Sequence, residues 1–493
     1  MFRTKRHPII KISLSLVFSF LLIGTISLFA DTAKLPDTPA GKRAQEVINL
    51  LNNGTLEKVT EFITNNFNQD FLKTAPMSYH LQIFCDTQDT YKSFEVKEVG
   101  KSGDYELQAV LWAPVTETWF DFRIMVEETA ENKIKGFRLT PGHALQEPSK
   151  AEKMTEQQIV DSLKTYMEKL VKNDIFSGAV LLAKDDHVIF EGAYGLASKR
   201  FNVPNRIDTK FNLGSMNKMF TAVAIAQLVE KGKLSYDDPV GKYLDNSWVQ
   251  KETAEKVKIK HLLTHTSGLG SYFNQKFNQS SRLLFRDLED YKPLIKDDKP
   301  VFEPGTKWRY SNTGMFLLGA IIQKVSNMDY FLYVRENIYK PAGMDNTDCY
   351  EMDKPVPNLA IGYVKKYDGN EAYWRNNIFD HVLRGGPAGG GFSTVEDLLK
   401  FTEALRSNKL ISKESLELLT TAKPDMNSPT YGYGFTVTTK GNDRLVGHSG
   451  GFTGIRSVLE IYMKSGYTIA VMSNYTSGMI PVKEKIESFI SVD

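Results

Sequence analysis

Cysteine is nearly absent from this chain of 493 residues, which contains only Cys85 and Cys349. A single pair of cysteines supplies neither a disulfide framework nor a cluster of metal ligands. The two also fall in separate predicted domains. Export would permit a disulfide between them, but we predict two buried free thiols.

An excess of basic residues is also lacking. The chain has 61 Lys and Arg against 59 Asp and Glu, a formal charge of +2. Residues 1–30 hold four of the basic residues and no acid, so the remainder carries −2. No basic patch with interleaved aromatic residues is apparent, and we therefore exclude nucleic acid as a partner. Composition and length instead predict a globular protein of about two or three domains.

Long apolar runs are lacking too, except for one near the N-terminus. Residues 12–30, ISLSLVFSFLLIGTISLFA, follow a basic start and end at Ala30-Asp31. This pattern predicts a signal peptide, and its length also allows a retained membrane anchor. The small residue before a polar, acidic segment favours cleavage. We therefore expect an exported protein, periplasmic or extracellular, which residues 12–30 would tether to the membrane if they were retained.

Residues 31–141 carry the pattern of a small α+β domain. Helical spacing extends over about 40–67, with a break at Asn53-Gly54, and returns near 76–88. Alternating strand-like runs follow at 105–115, 119–128 and 133–141. Helices followed by strands predict a sheet wrapped on a helix, and the pattern resembles cystatin-like accessory domains of exported hydrolases. The polar, proline-containing residues 142–154 predict a linker.

Residues 155–493 predict a second α+β domain. An amphipathic helix and a hairpin open it, helices dominate between about 215 and 410, and further strands and a last helix close it. Strands from both ends of the domain enclosing a helical middle predict one antiparallel sheet flanked by helices, with an inserted helical lobe.

Three short motifs in this second domain carry candidate chemistry. Ser215 and Lys218 lie three residues apart at the start of a helical run, so they share one helix face. A lysine with a pKa lowered by burial can take the serine proton. Read alone, the motif is more typical of an ordinary surface helix.

The second motif is Tyr310-Ser311-Asn312, in a loop before an apolar helix. A tyrosine beside lysines can have a depressed pKa and exchange a proton with a serine. The amide of Asn312 offers a donor and an acceptor for a substrate or for Lys218. The alternative is a turn that caps the next helix.

The third motif is His448-Ser449-Gly450-Gly451, in a predicted strand. Its glycines allow close approach of a ligand to the strand, so that backbone N–H groups can bind an oxyanion. A glycine-rich bulge without catalytic meaning is the alternative.

Together the motifs resemble the serine β-lactamase and penicillin-binding-protein superfamily, in its class-C-like branch, which includes esterases and D-amino-acid peptidases. The order Ser-x-x-Lys, Tyr-x-Asn, His-x-Gly is similar to that family's order. The resemblance covers roughly residues 155–490 and includes three further phrases: HLLTHTSGL (261–269), FEPGTKWRYSN (302–312) and GGFSTVEDLLKF (390–401).

The resemblance implies a role for each matching residue. Ser215 would be the acylated nucleophile, with Lys218 and Tyr310 sharing the acid and base work. Asn312, His448 and Gly450 would line the substrate site. The backbone N–H groups of Ser215 and Gly451 would form the oxyanion hole. No cofactor and no metal is implied, and the expected substrate is a small ester, amide or peptide.

One position departs from the family pattern, because β-lactamases of this type usually have lysine where His448 stands. A mostly neutral imidazole holds a substrate carboxylate less well. An esterase or peptidase is therefore expected, with Arg456 as a candidate replacement for the missing charge. The alternative is a β-lactamase or a penicillin-binding-like sensor of cell-wall peptides with slow or no turnover.

Two rival sites are rejected. Residues 447–451 spell Gly-x-Ser-x-Gly, the nucleophile elbow of α/β-hydrolases, but an elbow needs a helix after Ser449 and a histidine later in the chain. His261 and His265 have the spacing of zinc ligands, but no third ligand follows at suitable spacing. We predict core or capping roles for both histidines.

Overall fold

The computed structural model describes residues 33–142, 154–185, 187–368 and 371–490. The predicted signal or anchor segment, residues 1–30, and nearly all of the predicted linker lie outside these ranges. No helix among the described residues is long and apolar enough to cross a bilayer.

The first unit, residues 33–142, packs four helices on one sheet. Its strands are antiparallel and neighbour one another in chain order. Phe120, Phe122 and Ile124 alternate along one strand and are buried against the first helices. The elements are α1 (Pro39–Asn53), α2 (Leu56–Asn66), α3 (Gln69–Lys73), α4 (Met77–Tyr91), β1 (Glu95–Ser102), β2 (Glu106–Ala113), β3 (Thr118–Val126) and β4 (Ile134–Pro141).

The sequence patterns predicted most of this unit. Helices α1, α2 and α4 and strands β2, β3 and β4 are present where they were predicted. Helix α3 is too short to show a periodicity, and β1 is a charged edge strand, EVKEVGKS, whose outer half is largely exposed. Neither was predicted. The likeness to cystatin-like domains stays a prediction.

The second unit, residues 154–490, combines a central sheet with a large helical lobe. Its helices are α5 (Glu156–Lys172), α6 (Asn217–Glu230), α7 (Lys251–Lys256), α8 (Ile259–Leu263), α9 (Gln275–Gln279), α10 (Lys292–Ile295), α11 (Asn312–Ser326), α12 (Tyr330–Val334), α13 (Lys340–Ala342), α14 (Val395–Arg406), α15 (Lys413–Thr420) and α16 (Met479–Phe489). Its strands are β5 (Gly178–Lys184), β6 (His187–Tyr194), β7 (Leu196–Ser198), β8 (Val203–Pro204), β9 (Phe211–Asn212), β10 (Tyr363–Asp368), β11 (Glu371–Asn376), β12 (Phe392–Ser393), β13 (Thr436–Lys440), β14 (Asp443–Phe452), β15 (Ile455–Tyr462) and β16 (Tyr467–Ser473).

The main sheet has six antiparallel strands in the order β13-β14-β15-β16-β5-β6. Strand β16 is buried on both faces because its side chains alternate between two cores. Ala470 and Met472 pack toward the helical lobe, whereas Ile469 and Val471 pack toward α5 and α16. The sheet therefore lies between two helical layers, and its strands come from both ends of the unit, which confirms the predicted fold class.

Helix α6 lies in the centre of the helical lobe. Every residue from Asn217 to Leu228 is buried. A helix that is apolar on all sides is typical of such a position. This placement takes Lys218, in its first turn, completely out of solvent.

Polar contacts join the two units. Glu117, between β2 and β3, pairs with Lys169 at 2.9 Å and with Lys485 at 2.8 Å. On α4, Asp89 pairs with Lys365 of β10 at 3.2 Å. The first unit thus packs against α5, α16 and the β10–β11 hairpin.

The two cysteines lie in different units of the fold. Cys85 is on α4 and Cys349 belongs to the core of the second unit, and both are buried and free. This confirms the prediction of two unpaired thiols.

Candidate active site

Ser215 lies in a single 3₁₀ turn, Gly214–Met216, that leads into α6. Gly214 has φ +50°, in the left-handed region that favours glycine. The turn presses against β14, because a Cβ at Gly450 would lie 1.9 Å from the carbonyl oxygen of Leu213. A Cβ at Gly214 would lie 2.7 Å from the backbone nitrogen of Gly451. The glycines therefore bring Ser215 beside the backbone of Gly451.

Lys218 is completely buried one turn after Ser215. Its Nζ donates a hydrogen bond to the carbonyl oxygen of Ala388 at 2.5 Å and lies 4.8 Å from the centre of the Tyr310 ring. Burial lowers the pKa of Lys218 well below its ordinary value. The lowered pKa makes the amine give up its proton more readily, so Lys218 is a candidate acceptor for the serine proton.

Tyr310 is close to both residues. Burial raises the pKa of its phenol to about 12, and a side-chain hydrogen bond with Ser215 opposes this rise. The expected depression of the tyrosine pKa is therefore wrong. Desolvation is the largest cause of this shift and outweighs the opposing effect of Ser215. The phenol is protonated near neutral pH, and Lys218 is the better base of the two.

Asn312 begins α11, which Ser311 caps by accepting a hydrogen bond from the N–H of Gly314 at 2.9 Å. The Asn312 amide lines the cleft and donates to Ser271 Oγ at 3.1 Å. Since Lys218 donates to Ala388 instead, Asn312 has no hydrogen bond to Lys218 within the described ranges.

His448 lies on β14 behind Tyr310, with 6.4 Å between the ring centres. Its Nδ1 is 2.6 Å from the carbonyl oxygen of Ser449 and its Nε2 is 2.9 Å from the Tyr431 hydroxyl. This pattern requires the proton on Nδ1, with Nε2 accepting from Tyr431. Burial lowers the pKa of His448 to about 3. The imidazole is therefore neutral and supplies no charge for a substrate carboxylate.

Gly450, Gly451 and Arg456 differ in their position relative to the cleft. Gly451 lines the cleft, whereas Gly450 packs against the Ser215 turn. Arg456 pairs with Gly451 in the β14–β15 register, and its guanidinium lies over that glycine without lining the cleft. Arg456 therefore does not take the place of the missing lysine in this conformation.

The cleft beside Ser215 has a volume of about 240 Å³. Its walls come largely from residues 271–285 and 378–390, which carry aromatic side chains. Asp380 adds one carboxylate, paired with Arg375 at 2.8 Å. The described residues that line the cleft include no lysine or arginine. Besides Tyr310, the rings in its walls are those of Tyr272, Phe273, Phe277, Tyr291, His381 and Phe452.

His265 is a site residue that sequence reasoning assigned only to the core. It has φ +60°, is fully buried, and its Nδ1 accepts the backbone N–H of Ser311 at 3.2 Å. Its ring lies 4.4 Å from Tyr310 and 4.7 Å from Tyr431. His265 thus fixes the Tyr310 loop. Its signal was its position in the family phrase 261–269.

The structure places the residues of both rejected sites. Ser449 is exposed, and β14 turns directly into β15 with no helix after that serine. His261 caps α8, since its Nδ1 accepts the N–H of Lys258 at 3.2 Å. In the part of the chain that the structure describes, no three His, Cys, Asp or Glu side chains are grouped for a metal ion.

Comparison with known proteins agrees with this geometry. The Beta-lactamase family profile matches residues 159–486, and the chain belongs to this family. Penicillin-binding protein 4* of Bacillus subtilis (strain 168) is 33% identical over 327 residues, which cover 63% of this chain and 71% of the relative.

Solved structures give the same fold. A penicillin-binding protein from Bacillus halodurans is 29% identical, with a TM-score of 0.59, and the match covers 69% of this chain and 100% of the other. A D-stereospecific amidohydrolase from Streptomyces sp. is 26% identical, with a TM-score of 0.54, over 66% of this chain and 97% of the other. The protein is a hydrolase of the serine β-lactamase and penicillin-binding-protein fold.

Proposed function

We propose that the protein is an exported serine hydrolase that cleaves an ester or amide bond through an acyl-enzyme on Ser215. The observation that carries this proposal is that Ser215 and Tyr310 line one cleft, with the buried Nζ of Lys218 4.8 Å from the centre of the Tyr310 ring. Nucleophile, proton acceptor and proton donor lie together beside an open cleft.

Acylation begins when Ser215 Oγ attacks the substrate carbonyl carbon. The hydroxyl proton passes to neutral Lys218, directly or across the Tyr310 phenol, as the Oγ–C bond forms. The bond to the leaving group then breaks, and the departing alkoxide or amine takes a proton from the same pair. Water attacks the acyl-enzyme in the second half, which releases the acid and returns the proton to Ser215.

The carbonyl oxygen becomes negative during both steps. The backbone N–H groups of Ser215 and Gly451 are the candidate donors, since the Ser215 turn abuts Gly451. Such donors stabilise the transition state by about 3 kcal/mol each.

The cleft supports a neutral substrate with an apolar acyl group. Its walls are aromatic, its one carboxylate is Asp380, and the described lining provides no cation. A substrate carboxylate would lose its hydration without gaining a positive partner, which is unfavourable. An esterase, or an amidase acting on an uncarboxylated or amine-bearing substrate, fits better than a β-lactamase.

The alternative function is slow recognition of cell-wall peptides. It draws on the relatives named penicillin-binding proteins. In that case Ser215 would acylate without efficient release.

A substrate panel separates these functions. The candidates are p-nitrophenyl esters of increasing acyl length, nitrocefin and D-amino-acid p-nitroanilides, each with Ser215→Ala as the blank. We expect steady turnover of the esters, with kcat/KM at least about tenfold above that for nitrocefin. Higher kcat/KM for nitrocefin would contradict the assigned substrate class.

A fluorophosphonate probe separates enzyme from sensor. Labelling of Ser215 together with ester turnover supports the enzyme. A labelled Ser215 with a stable ester adduct and no release favours the sensor. A failure to label Ser215 in the folded protein would contradict both.

A further inference from the structure

A large, mainly apolar cavity lies in the first unit, between its helices and its sheet. Its volume is about 560 Å³, against about 240 Å³ for the cleft. Cavities of about 300–1,000 Å³ are typical of small-molecule sites. The walls combine aromatic and aliphatic side chains with a few polar ones, which include Asp86 and Arg138, and Ile480 of the second unit also lines the cavity. The rings are those of Phe67, Phe71, Phe84, Tyr91, Phe120 and Phe137.

One polar side chain in this wall lacks a partner. His80 on α4 is 6% exposed, and its Nε2 has no hydrogen bond among the described residues. Its ring meets Phe67 and Phe71 edge-on, with centres 5.9 and 5.5 Å away. A buried polar atom left unpaired is costly. The other polar side chains that line the cavity, such as Asp86, Thr87 and Arg138, make no hydrogen bond with this nitrogen.

The opening of the cavity is also apolar. Tyr79 and Ile83, one turn apart on α4, are 58% and 41% exposed and both line it. Contiguous exposed apolar side chains occur at ligand-binding grooves, so these two residues are candidates for the entrance.

We propose that this cavity binds a single-chain acyl amphiphile, with its chain along the aromatic wall and its polar head hydrogen-bonded to His80. The ligand must be largely apolar to match the walls. It must also carry a hydrogen-bonding group, because Nε2 is left without a partner. An acyl chain with a carboxyl, amide or alcohol head meets both requirements. The site is independent of the hydrolase cleft, so it is retained whether or not Ser215 is catalytic.

Isothermal titration calorimetry on the full-length chain, prepared without detergent, tests the site. The probe is dodecanoic acid below its micelle concentration, with dodecanol as a second head group. We expect saturable binding of one molecule per chain. The Ser215→Ala variant should bind equally well, which separates this site from the proposed function.

Two cavity variants locate the binding. Ala75→Trp combined with Thr87→Trp fills the space from two sides and should weaken binding at least tenfold. His80→Phe keeps a ring but removes the head-group partner, and should weaken binding about two- to tenfold. Leu283→Trp is the matched control, since Leu283 is 72% exposed and does not line this cavity. Circular dichroism and the melting temperature verify that each variant is folded.

Three results would overturn the proposal. One is absence of saturable binding, and another is binding that the filled variant retains. The third is association only with phosphatidylcholine vesicles, unchanged in the filled variant, which would identify a membrane-binding surface elsewhere. Competition between dodecanoic acid and the vesicles for the same cavity would instead identify the acyl tail of a lipid as the ligand source.

Discussion

The cleft and the first-unit cavity are built in opposite ways. Around Ser215, Lys218 is hydrogen-bonded to Ala388 and His448 to Tyr431, and the Lys218 amine lies 4.8 Å from the centre of the Tyr310 ring. The cavity around His80 is larger and has aromatic walls with an unpartnered imidazole nitrogen. Catalysis requires several polar groups held in mutual contact, whereas binding of an apolar ligand requires volume and few polar anchors.

Removal of the Lys218 amine should have the largest effect on catalysis in the cleft. Lys218→Ala should lower kcat for the best ester by about 10²- to 10⁴-fold, because the serine proton loses its acceptor. Steady-state kinetics measure the effect. Lys231→Ala, at the other end of α6 and exposed, is the control and should retain normal kcat. Equal activity of the two variants would remove Lys218 from the mechanism.

Replacement of a glycine by alanine should also have a different effect beside Ser215 than in the first unit. Gly450→Ala forces a methyl group to within 1.9 Å of the Leu213 carbonyl, so it should displace the Ser215 turn. We expect a loss of about 1–3 kcal/mol in the free energy of unfolding, with loss of activity. Gly136→Ala in β4 has Met125 Cε at 3.9 Å as its nearest neighbour and should change stability by under about 1 kcal/mol.

Urea unfolding of both variants measures this difference. If Gly450→Ala were as stable and active as Gly136→Ala, the Ser215 turn would not be seated against β14 as described.

The motifs predicted much of the cleft because each is local. Ser215 and Lys218 are one turn apart, and the spacing alone predicts that they lie together where α6 begins, Ser215 in the 3₁₀ turn before it and Lys218 in its first turn. The direction of the Tyr310 pKa could not be predicted, since it depends on burial by distant segments. The hydrogen bond from Lys218 to the Ala388 carbonyl could not be predicted either, because the two residues are 170 positions apart in the chain.

The first unit shows the other limit of prediction. Its periodicities gave most helices and strands, yet no motif identifies its cavity. Phe67 and Phe137 are ordinary core residues in the sequence. Only the folded structure, which brings these rings and His80 into the wall of one cavity, reveals a candidate binding site.

A smaller effect concerns acid stability. Burial lowers the pKa of His381, in the cleft wall, to about 4. The unfolded chain binds this proton near pH 6.5, so the neutral buried imidazole makes the folded state progressively less stable as pH falls from about 6.5 to 4. His381→Phe removes this pH dependence. The free energy of unfolding of the variant, relative to that of the parent, should therefore increase as the pH falls from about 6.5 to 4.

Denaturant unfolding at several pH values measures this relative stability. The comparison with the parent is required because burial raises the pKa of Glu460 and of Glu484 to about 7, which stabilises the folded state as pH falls from 7 to 4.5. A difference between variant and parent that does not change with pH would contradict the neutral His381.

The most direct test of the central claim is active-site titration followed by peptide mass mapping. Mixing the enzyme with excess p-nitrophenyl ester should release a burst of up to one p-nitrophenolate per chain, if deacylation is the slower step. Acid quenching should then trap the acyl mass on the peptide that contains Ser215. The account predicts that Ser215→Ala loses the adduct and that Ser449→Ala keeps it. An acyl group on another residue, or an adduct that survives in Ser215→Ala, would contradict the account.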